Sequence, residues 1–523
     1  MSNRPAHPVD LFDERRRLVE QFPVVHQAFG TGGRQAHLVT GLGSAQLLGS
    51  FVVIDDESDE PLVAQVQSHE LAERAVGQLD ALADLETADG PVTRSVTITP
   101  MVRFVRSELT VLGRLGADGS FRRDVPVEGF AECRFRAATD DETRSVRAAL
   151  AGSAPTLAVG ELVGAPAVEA RVRSAGFSRH TFLCGQSGSG KTYATGVLLE
   201  RLRLGTDLPL VILDPNSDHV HLGELRPDAA DAPEAVGYRA IADDVLVARS
   251  RGHEGVLLAI HFSELASREQ MLLLGLDPVA DLGLSAAFRE AVDGLAAPFS
   301  VADVRDAAAA LGTDVGRDLA TRIDNLEVAS WGVWCRPGER SIVESAPLQR
   351  RCVVVDLGSL ERSQERTLVA LAVLRVLWAR RAEKKPVLLV VDEAHNAFPA
   401  QPANALEAAA TAVGVSIAAE GRKYGLHLLL ATQRPSKVEA NIVTQCDNLV
   451  LLRVNSTADV ADLCRTFSHV PPGLIAQAPE FGLGELLIAG PVAEVAIRAR
   501  IGRRLSPEGG GDLPTGWATP AER

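Results

Sequence analysis

Gly185-Gln186-Ser187-Gly188-Ser189-Gly190-Lys191-Thr192 fits the pattern G-x-x-x-x-G-K-[ST] of a phosphate-binding P-loop. Its glycines let successive backbone N–H groups turn inward onto phosphate oxygens. Lys191 has the reach for the β- and γ-phosphates, and the Thr192 hydroxyl is a Mg²⁺ ligand in such loops. Thr181–Cys184 reads as a short buried strand before the loop. Tyr193–Leu204 after it carries apolar residues at helical spacing: Val197, Leu198, Leu202 and Leu204. The loop therefore opens a helix whose N-terminal dipole favours an anion. ATP with Mg²⁺ is the expected cofactor pair.

Outward from the loop, continuous apolar runs alternate with helical patterns from Leu157 onward. Leu210–Asp214, Arg351–Asp356, Val387–Asp392, His427–Thr432 and Asn448–Val454 are such runs, as expected of parallel strands buried on both faces. The fold class predicted is α/β, a RecA-like P-loop NTPase core over 151–504. A helical insertion is expected at about 225–343, with helices near Arg268–Leu274, Ala286–Leu295 and Val301–Leu311. Gly484–Ala489 and Glu494–Ile501 are expected to close a sheet edge.

Three further stretches carry chemistry. Val387–Glu393 is an apolar strand ending in two carboxylates, the Walker B form. Asp392 is placed to hold Mg²⁺ and Glu393 to deprotonate the attacking water. His427–Gln433 is a strand ending in an amide. Gln433 suits sensing the γ-phosphate or orienting water, although taken alone it reads as a strand-end turn residue. Glu420-Gly421-Arg422-Lys423-Tyr424-Gly425 puts two cations before that strand. Arg422 is the candidate arginine finger, acting across a subunit interface; a positive helix end with a glycine cap is the simpler alternative. Asp214-Pro215-Asn216-Ser217-Asp218-His219 supports two readings equally: Asp214 and Asp218 join the Mg²⁺ network, or the stretch is a plain turn. Arg179 is a candidate nucleotide contact and Lys437 a candidate DNA contact.

The chain has 523 residues, 46% hydrophobic, with a formal net charge of −15. That length suggests about three domains, and the composition excludes global disorder. The acidic total argues against nucleic acid bound over the outer surface, but not against a locally basic channel. The six cysteines are scattered with no C-x-x-C pair, which argues against a zinc site and suits a reducing cytoplasm. Met1–Arg17 lacks an apolar signal core. Leu368–Ala379, the longest apolar stretch, contains Arg375 and is too short to span a bilayer. No membrane partner is expected.

Residues 1–30 are read as a flexible arm with a helical piece at Leu11–Phe22. Residues 31–150 show short strand-like runs between Gly, Asp and Ser turns, the pattern of a small barrel or sandwich. Leu71–Leu85 interrupts them with helical spacing, and Asp140–Ala151 reads as a linking helix. Residues 505–523, rich in Gly and Pro, are read as a flexible tail.

In this order, the motifs resemble the HerA/FtsK superfamily of P-loop motor ATPases, most closely its HerA-like (bipolar DNA helicase) branch. The resemblance rests on Arg179-His180, Asp214-Pro215, Asp392-Glu393-Ala394-His395-Asn396, Glu420–Gly425 and Ala431-Thr432-Gln433-Arg434-Pro435-Ser436, and covers about 157–505. It implies a homohexameric ring around a pore, ATP at subunit interfaces, and DNA translocation. It also implies an N-terminal β-barrel (of the HAS-barrel type), matching region 31–150. Family members often carry His-Gly-Glu-Tyr after the Asp-Pro; Asn216-Ser217-Asp218-His219 stands there instead, which leaves the role of Asp218 open. The family's nuclease partner is a separate chain, and no nuclease motif is found here.

Two functions are therefore expected in competition. One is an ATP-driven DNA translocase in DNA processing or phage defence, acting with a nuclease or other effector. The other is an ATP-dependent oligomeric scaffold that assembles or gates a partner protein without translocating DNA. An export or conjugation ATPase shares the motor core, but nothing in the sequence points to a secretion partner. An ABC-type ATPase lacks its signature here, and a small-molecule kinase fits poorly with Glu393 and Gln433, which suit water attack.

Overall fold

A computed structural model describes the backbone of residues 11–76, 78–87, 90–345 and 350–509. Two compact units emerge. The first comprises residues 1–152 with 164–168 and 471–476; the second comprises the rest.

In the first unit, alternating or continuous apolar runs form an antiparallel sheet. Its order is Gln35–Thr40, Gln27–Gly30, Phe130–Ala137, Phe51–Asp55, Leu62–Ala75, Met101–Leu115 and Phe121–Arg122. Gln35–Thr40 also pairs with Met101–Leu115, so the ladder of pairings returns on itself. Leu38, Val52, Ile54, Leu62, Val66 and Val111 form its buried interior. Thr139 caps the helix Asp140–Ala151 through a reciprocal pair with Glu142.

Two expectations change here. Gln27–Gly30 is a strand of the sheet rather than part of an arm. Leu71–Leu85 is not helical. Leu71 to Ala75 extends one strand, in register with Val105 to Met101, and Leu79–Thr87 pairs with Gly90–Ile98. The spacing of Leu71, Ala75, Leu79 and Leu82 matches a helix, but the long partner strand supplies ladder hydrogen bonds that override local preference. The remaining arm residues before Leu11, and the turn residue Asp89, lie outside the described residues.

The second unit holds all of a twelve-stranded sheet except residues 165–168 of its first strand. Its order is Ala165–Arg173, Thr156–Leu162, Ile497–Ile501, Glu485–Ala489, Asn448–Leu451, Thr181–Cys184, Leu426–Thr432, Val387–Val391, Leu210–Asp214, Cys352–Asp356, Val245–Arg249 and Val256–Leu257. From Asn448–Leu451 to Val256–Leu257 every pairing is parallel. The central strands are buried along their whole length, which explains their unbroken apolar runs.

The strands Glu485–Ala489 and Ile497–Ile501 do not close an edge, because Thr156–Leu162 pairs beyond them. The insertion is not wholly helical either. Val245–Arg249 leaves it to join the parallel sheet beside Cys352–Asp356. Its α-helices include Ala235–Ala240, Ser267–Leu273, Leu282–Asp293, Val301–Ala310 and Asp314–Leu326. The tail expectation also fails over 505–509, where Leu505 and Ser506 are fully buried. Leu505 supplies an apolar side chain to a cluster with Ala229 and Tyr238 that composition alone does not reveal. The rest of the tail lies outside the described residues. No described helix is long and apolar enough to cross a membrane.

Candidate nucleotide-hydrolysis site

The P-loop joins the strand Thr181–Cys184 to the helix Lys191–Gly205. Gly188 and Gly190 have φ of 73° and 91°, a region L side chains rarely adopt, so glycine is needed for the turn. Gly190 is the helix N-cap and offers no side-chain acceptor, so the first helical N–H groups stay open for an anion. The Ser189 hydroxyl is buried without a hydrogen-bond partner. A triphosphate fits this cradle.

Parallel pairing carries the carboxyl ends of the strands to the same side as the P-loop. Lys191, at the start of the helix, is buried against the Walker B pair. Its Nζ lies 2.7 Å from Asp392 Oδ1 and 3.1 Å from Glu393 Oε1. Burial works to lower the Lys191 pKa, but the two carboxylates carry it above its ordinary value. Burial likewise pushes the Asp392 carboxyl up, and the Lys191 ammonium brings it below the usual range. Replacing Lys191 with Ala strands both carboxylates in the interior, at an expected cost of about 3 kcal/mol to the nucleotide-free protein. Chemical denaturation of Lys191→Ala measures this; unchanged stability would mean the buried triad does not form in solution.

Glu393 follows the strand in the left-handed region, with φ 45°, a conformation that costs on the order of 1 kcal/mol and clusters at functional sites. Gln433 Nε2 donates to Glu393 Oε1 at 2.6 Å. Glu393 Oε2 is buried with no hydrogen-bond partner. His395 Nδ1 stands 3.3 Å from that oxygen and 3.1 Å from Thr432 Oγ1.

Asp214 and Asp218 come to the same place. Their carboxylate oxygens and one of Asp392 lie within 4.8 Å of one another. The Asp214 carboxylate accepts from the backbone N–H of Asn216, Asp218 and His219, which winds the loop back on itself. Burial is the main cause that raises Asp214 to about 7 and Asp218 to about 6, with the Asp392 charge adding to both. Asp392 Oδ2 has no hydrogen-bond partner. Three crowded carboxylates with a free lone pair are the hard oxygen donors Mg²⁺ prefers. The donor set, with Thr192 at the loop end, fits that ion.

The structure separates other predicted residues from this cluster. Arg422 Nη1 lies 2.9 Å, and Arg179 Nη1 3.3 Å, from the same oxygen, Asp447 Oδ2. Both arginines precede their strands, whereas the P-loop, Glu393 and Gln433 follow theirs. The seven-residue strand Leu426–Thr432, at about 3.3 Å per residue, puts roughly 20 Å between Arg422 and Gln433. Both arginines hold Asp447, at the strand ends away from the P-loop. Lys437 is exposed in the turn Pro435–Lys437.

Three residues near the site received no role from sequence. Arg453 Nη2 donates to Gly188 O at 3.4 Å, following the strand beside the P-loop strand. His219 is fully buried, 3.9 Å from Asp392 Oδ2, and burial holds it down to about 4 and hence neutral. His395, quoted only within a motif, touches Glu393. Their position after strands that end at the P-loop was the available signal for all three.

The family model for the helicase HerA central domain matches residues 157–307, and that for zonular occludens toxin matches 303–458. The DNA double-strand break repair helicase HerA of Sulfolobus acidocaldarius is 23% identical over 414 residues, covering 76% of this chain and 78% of the relative. A probable HerA of Methanocaldococcus jannaschii is 30% identical over 129 residues, a quarter of each chain. Among solved structures, VirB4 of Thermoanaerobacter pseudethanolicus superposes with TM-score 0.47 at 14% identity, over 67% of this chain and 97% of that one. With the P-loop, the Walker B carboxylates and the parallel sheet on one side and the HerA matches on the other, the chain is a P-loop ATPase similar to the helicase HerA.

Proposed function

We propose that this ATPase works as a homohexameric ring that translocates DNA, with ATP bound between subunits. The observation that carries this reading is the placement of Arg422. It lies at the end of a central strand opposite its own P-loop, roughly 20 Å away by strand rise, which supports a role on a neighbour's nucleotide. The relatives named as DNA repair helicases support DNA as the substrate. A pore confines phosphate contacts to a small surface, which reconciles a net charge of −15 with DNA.

Within the site, Lys191 binds the β- and γ-phosphates, and the P-loop N–H groups hold the remaining oxygens. Thr192, Asp392, Asp218 and Asp214 would hold Mg²⁺, which when bound would neutralise phosphate charge. Glu393 takes the proton of the attacking water on its free Oε2. Gln433 fixes the other oxygen of Glu393 and so aims it. ATP binding draws Lys191 from the carboxylates to phosphate and leaves Glu393 free to act as a base. Arg422 of the neighbouring subunit neutralises the charge that develops on the transferred phosphoryl group.

We further assign 31–150 as the family's small N-terminal β-barrel, 151–504 as the ATPase domain, and the cytoplasm as the setting. A nuclease or other effector, in DNA processing or phage defence, is the proposed partner. The test is steady-state ATP hydrolysis with and without long linear duplex DNA. Stimulation of tenfold or so is expected, on the scale of an allosteric coupling free energy of about 1–2 kcal/mol. Hydrolysis that ignores DNA, together with a ring that does not bind it, would transfer the assignment to an ATP-dependent scaffold that gates a partner protein.

A further inference from the structure

The chain leaving the final strand returns to the nucleotide site. Arg504 is fully buried, among the largest side chains in the interior to be so. Its guanidinium lies across the P-loop helix, where a Cβ on Gly196 would collide with it. Nη1 donates to the carbonyl of Thr192 at 3.5 Å, in the first helical turn. Nη2 donates to the carbonyl of Asp218 at 3.2 Å and to that of Pro507 at 3.3 Å. Its backbone N–H donates to the Tyr193 hydroxyl at 2.8 Å.

Independent contacts hold the strap in place. Glu200, fully buried on the P-loop helix, accepts from the N–H of Leu505 at 2.8 Å and from the N–H and hydroxyl of Ser506, both at 2.7 Å. Glu508 lies 3.3 Å from Arg504 and Glu200 3.9 Å, so the buried cation is compensated. At the far end Gly509 N–H donates to the same Asp218 carbonyl at 3.2 Å. From the opposite side, the Ser217 hydroxyl donates to Asp356 Oδ1 at 2.6 Å, and Arg249 holds the other oxygen of Asp356 at 2.8 Å. The loop bearing Asp214 and Asp218 is thus gripped between the strap and the end of a parallel strand.

We propose that Arg504 is a positioning residue of the nucleotide site, through which the strap Arg503–Gly509 sets the Asp218 loop and the first turn of the P-loop helix for the metal-bound nucleotide. One guanidinium ties two segments that carry metal-directed groups, Thr192 and Asp218. A fork with fixed donor directions can do this where a point charge cannot. Contacts of this kind, one bond removed from the ligands, tune metal affinity by about 10- to 100-fold.

This rests on reading Thr192, Asp214, Asp218 and Asp392 as the Mg²⁺ site. The test measures the affinity of a fluorescent ATP analogue for the full-length protein, in Mg²⁺ and in EDTA. Arg504→Met is expected to lose about tenfold or more of the Mg²⁺-dependent gain in affinity, with a much smaller change of the affinity in EDTA. Arg504→Lys is expected to fall between Met and wild type. Equal loss in both conditions, or wild-type behaviour of Arg504→Met, would overturn the proposal. If Arg504→Met does not fold, Gly509→Ala decides. Its Cβ would collide with the Ser217 carbonyl and lift the strap end. A selective loss of Mg²⁺-dependent affinity supports positioning, and none refutes it. A wild-type protein whose affinity ignores Mg²⁺ would instead refute the metal reading itself.

Discussion

Glu393→Gln is expected to slow ATP turnover by about a thousandfold while ATP still binds, the scale set by removing a general base. Glu393 ends the Walker B strand in the left-handed region at φ 45°, which aims its side chain into the site instead of along the sheet. Gln433 and Lys191 both hold Oε1, at 2.6 Å and 3.1 Å, and Oε2 is left buried and without a hydrogen bond. An amide fills the same volume but cannot take a proton from water. Lys191 keeps its 2.7 Å contact with Asp392 in this variant, so the phosphate cradle survives. Single-turnover hydrolysis alongside nucleotide affinity separates the two effects. Turnover within tenfold of wild type would remove Glu393 from the role of base.

Arg422→Ala is expected to cost about 10³-fold or more in turnover, the scale of a removed arginine finger, without altering the P-loop of the same chain. The decisive form of the experiment uses mixtures. A Lys191→Ala subunit has a damaged P-loop and an intact Arg422; an Arg422→Ala subunit has the reverse. If Arg422 acts on the neighbour, mixing two inactive variants creates some intact interfaces, and activity returns in part. If mixtures stay inactive although they assemble, the arginine does not act across the interface. Asp447 bears on the same result, because its carboxylate holds both Arg422 and Arg179 before any phosphate is present.

Much of the site was legible because it is local. The P-loop requires glycines at set spacing, and its lysine and threonine follow within two residues. The Walker B pair announces itself as five apolar residues followed by two acids, since a strand buried on both faces cannot hold a carboxylate until it ends. Helical spacing misled over Leu71–Leu85, where a long partner strand outweighed local preference. Composition misled at Leu505 and Ser506, where polar and glycine-rich surroundings hid two buried residues.

By itself the sequence determined the phosphate cradle, the acid pair and the parallel α/β class, because each depends on neighbours in the chain. Tertiary structure alone decided which charges meet. Asp214, Asp218 and Asp392 converge because adjacent parallel strands end on the same side. Arg179 and Arg422 share Asp447 because their strands begin on the other. Arg504 reaches the nucleotide loop from more than 280 residues away in sequence, |i−j| being 286 to Asp218. Electrostatic and hydrogen-bond partnerships act through a few ångströms of space, and no local pattern in the chain encodes them.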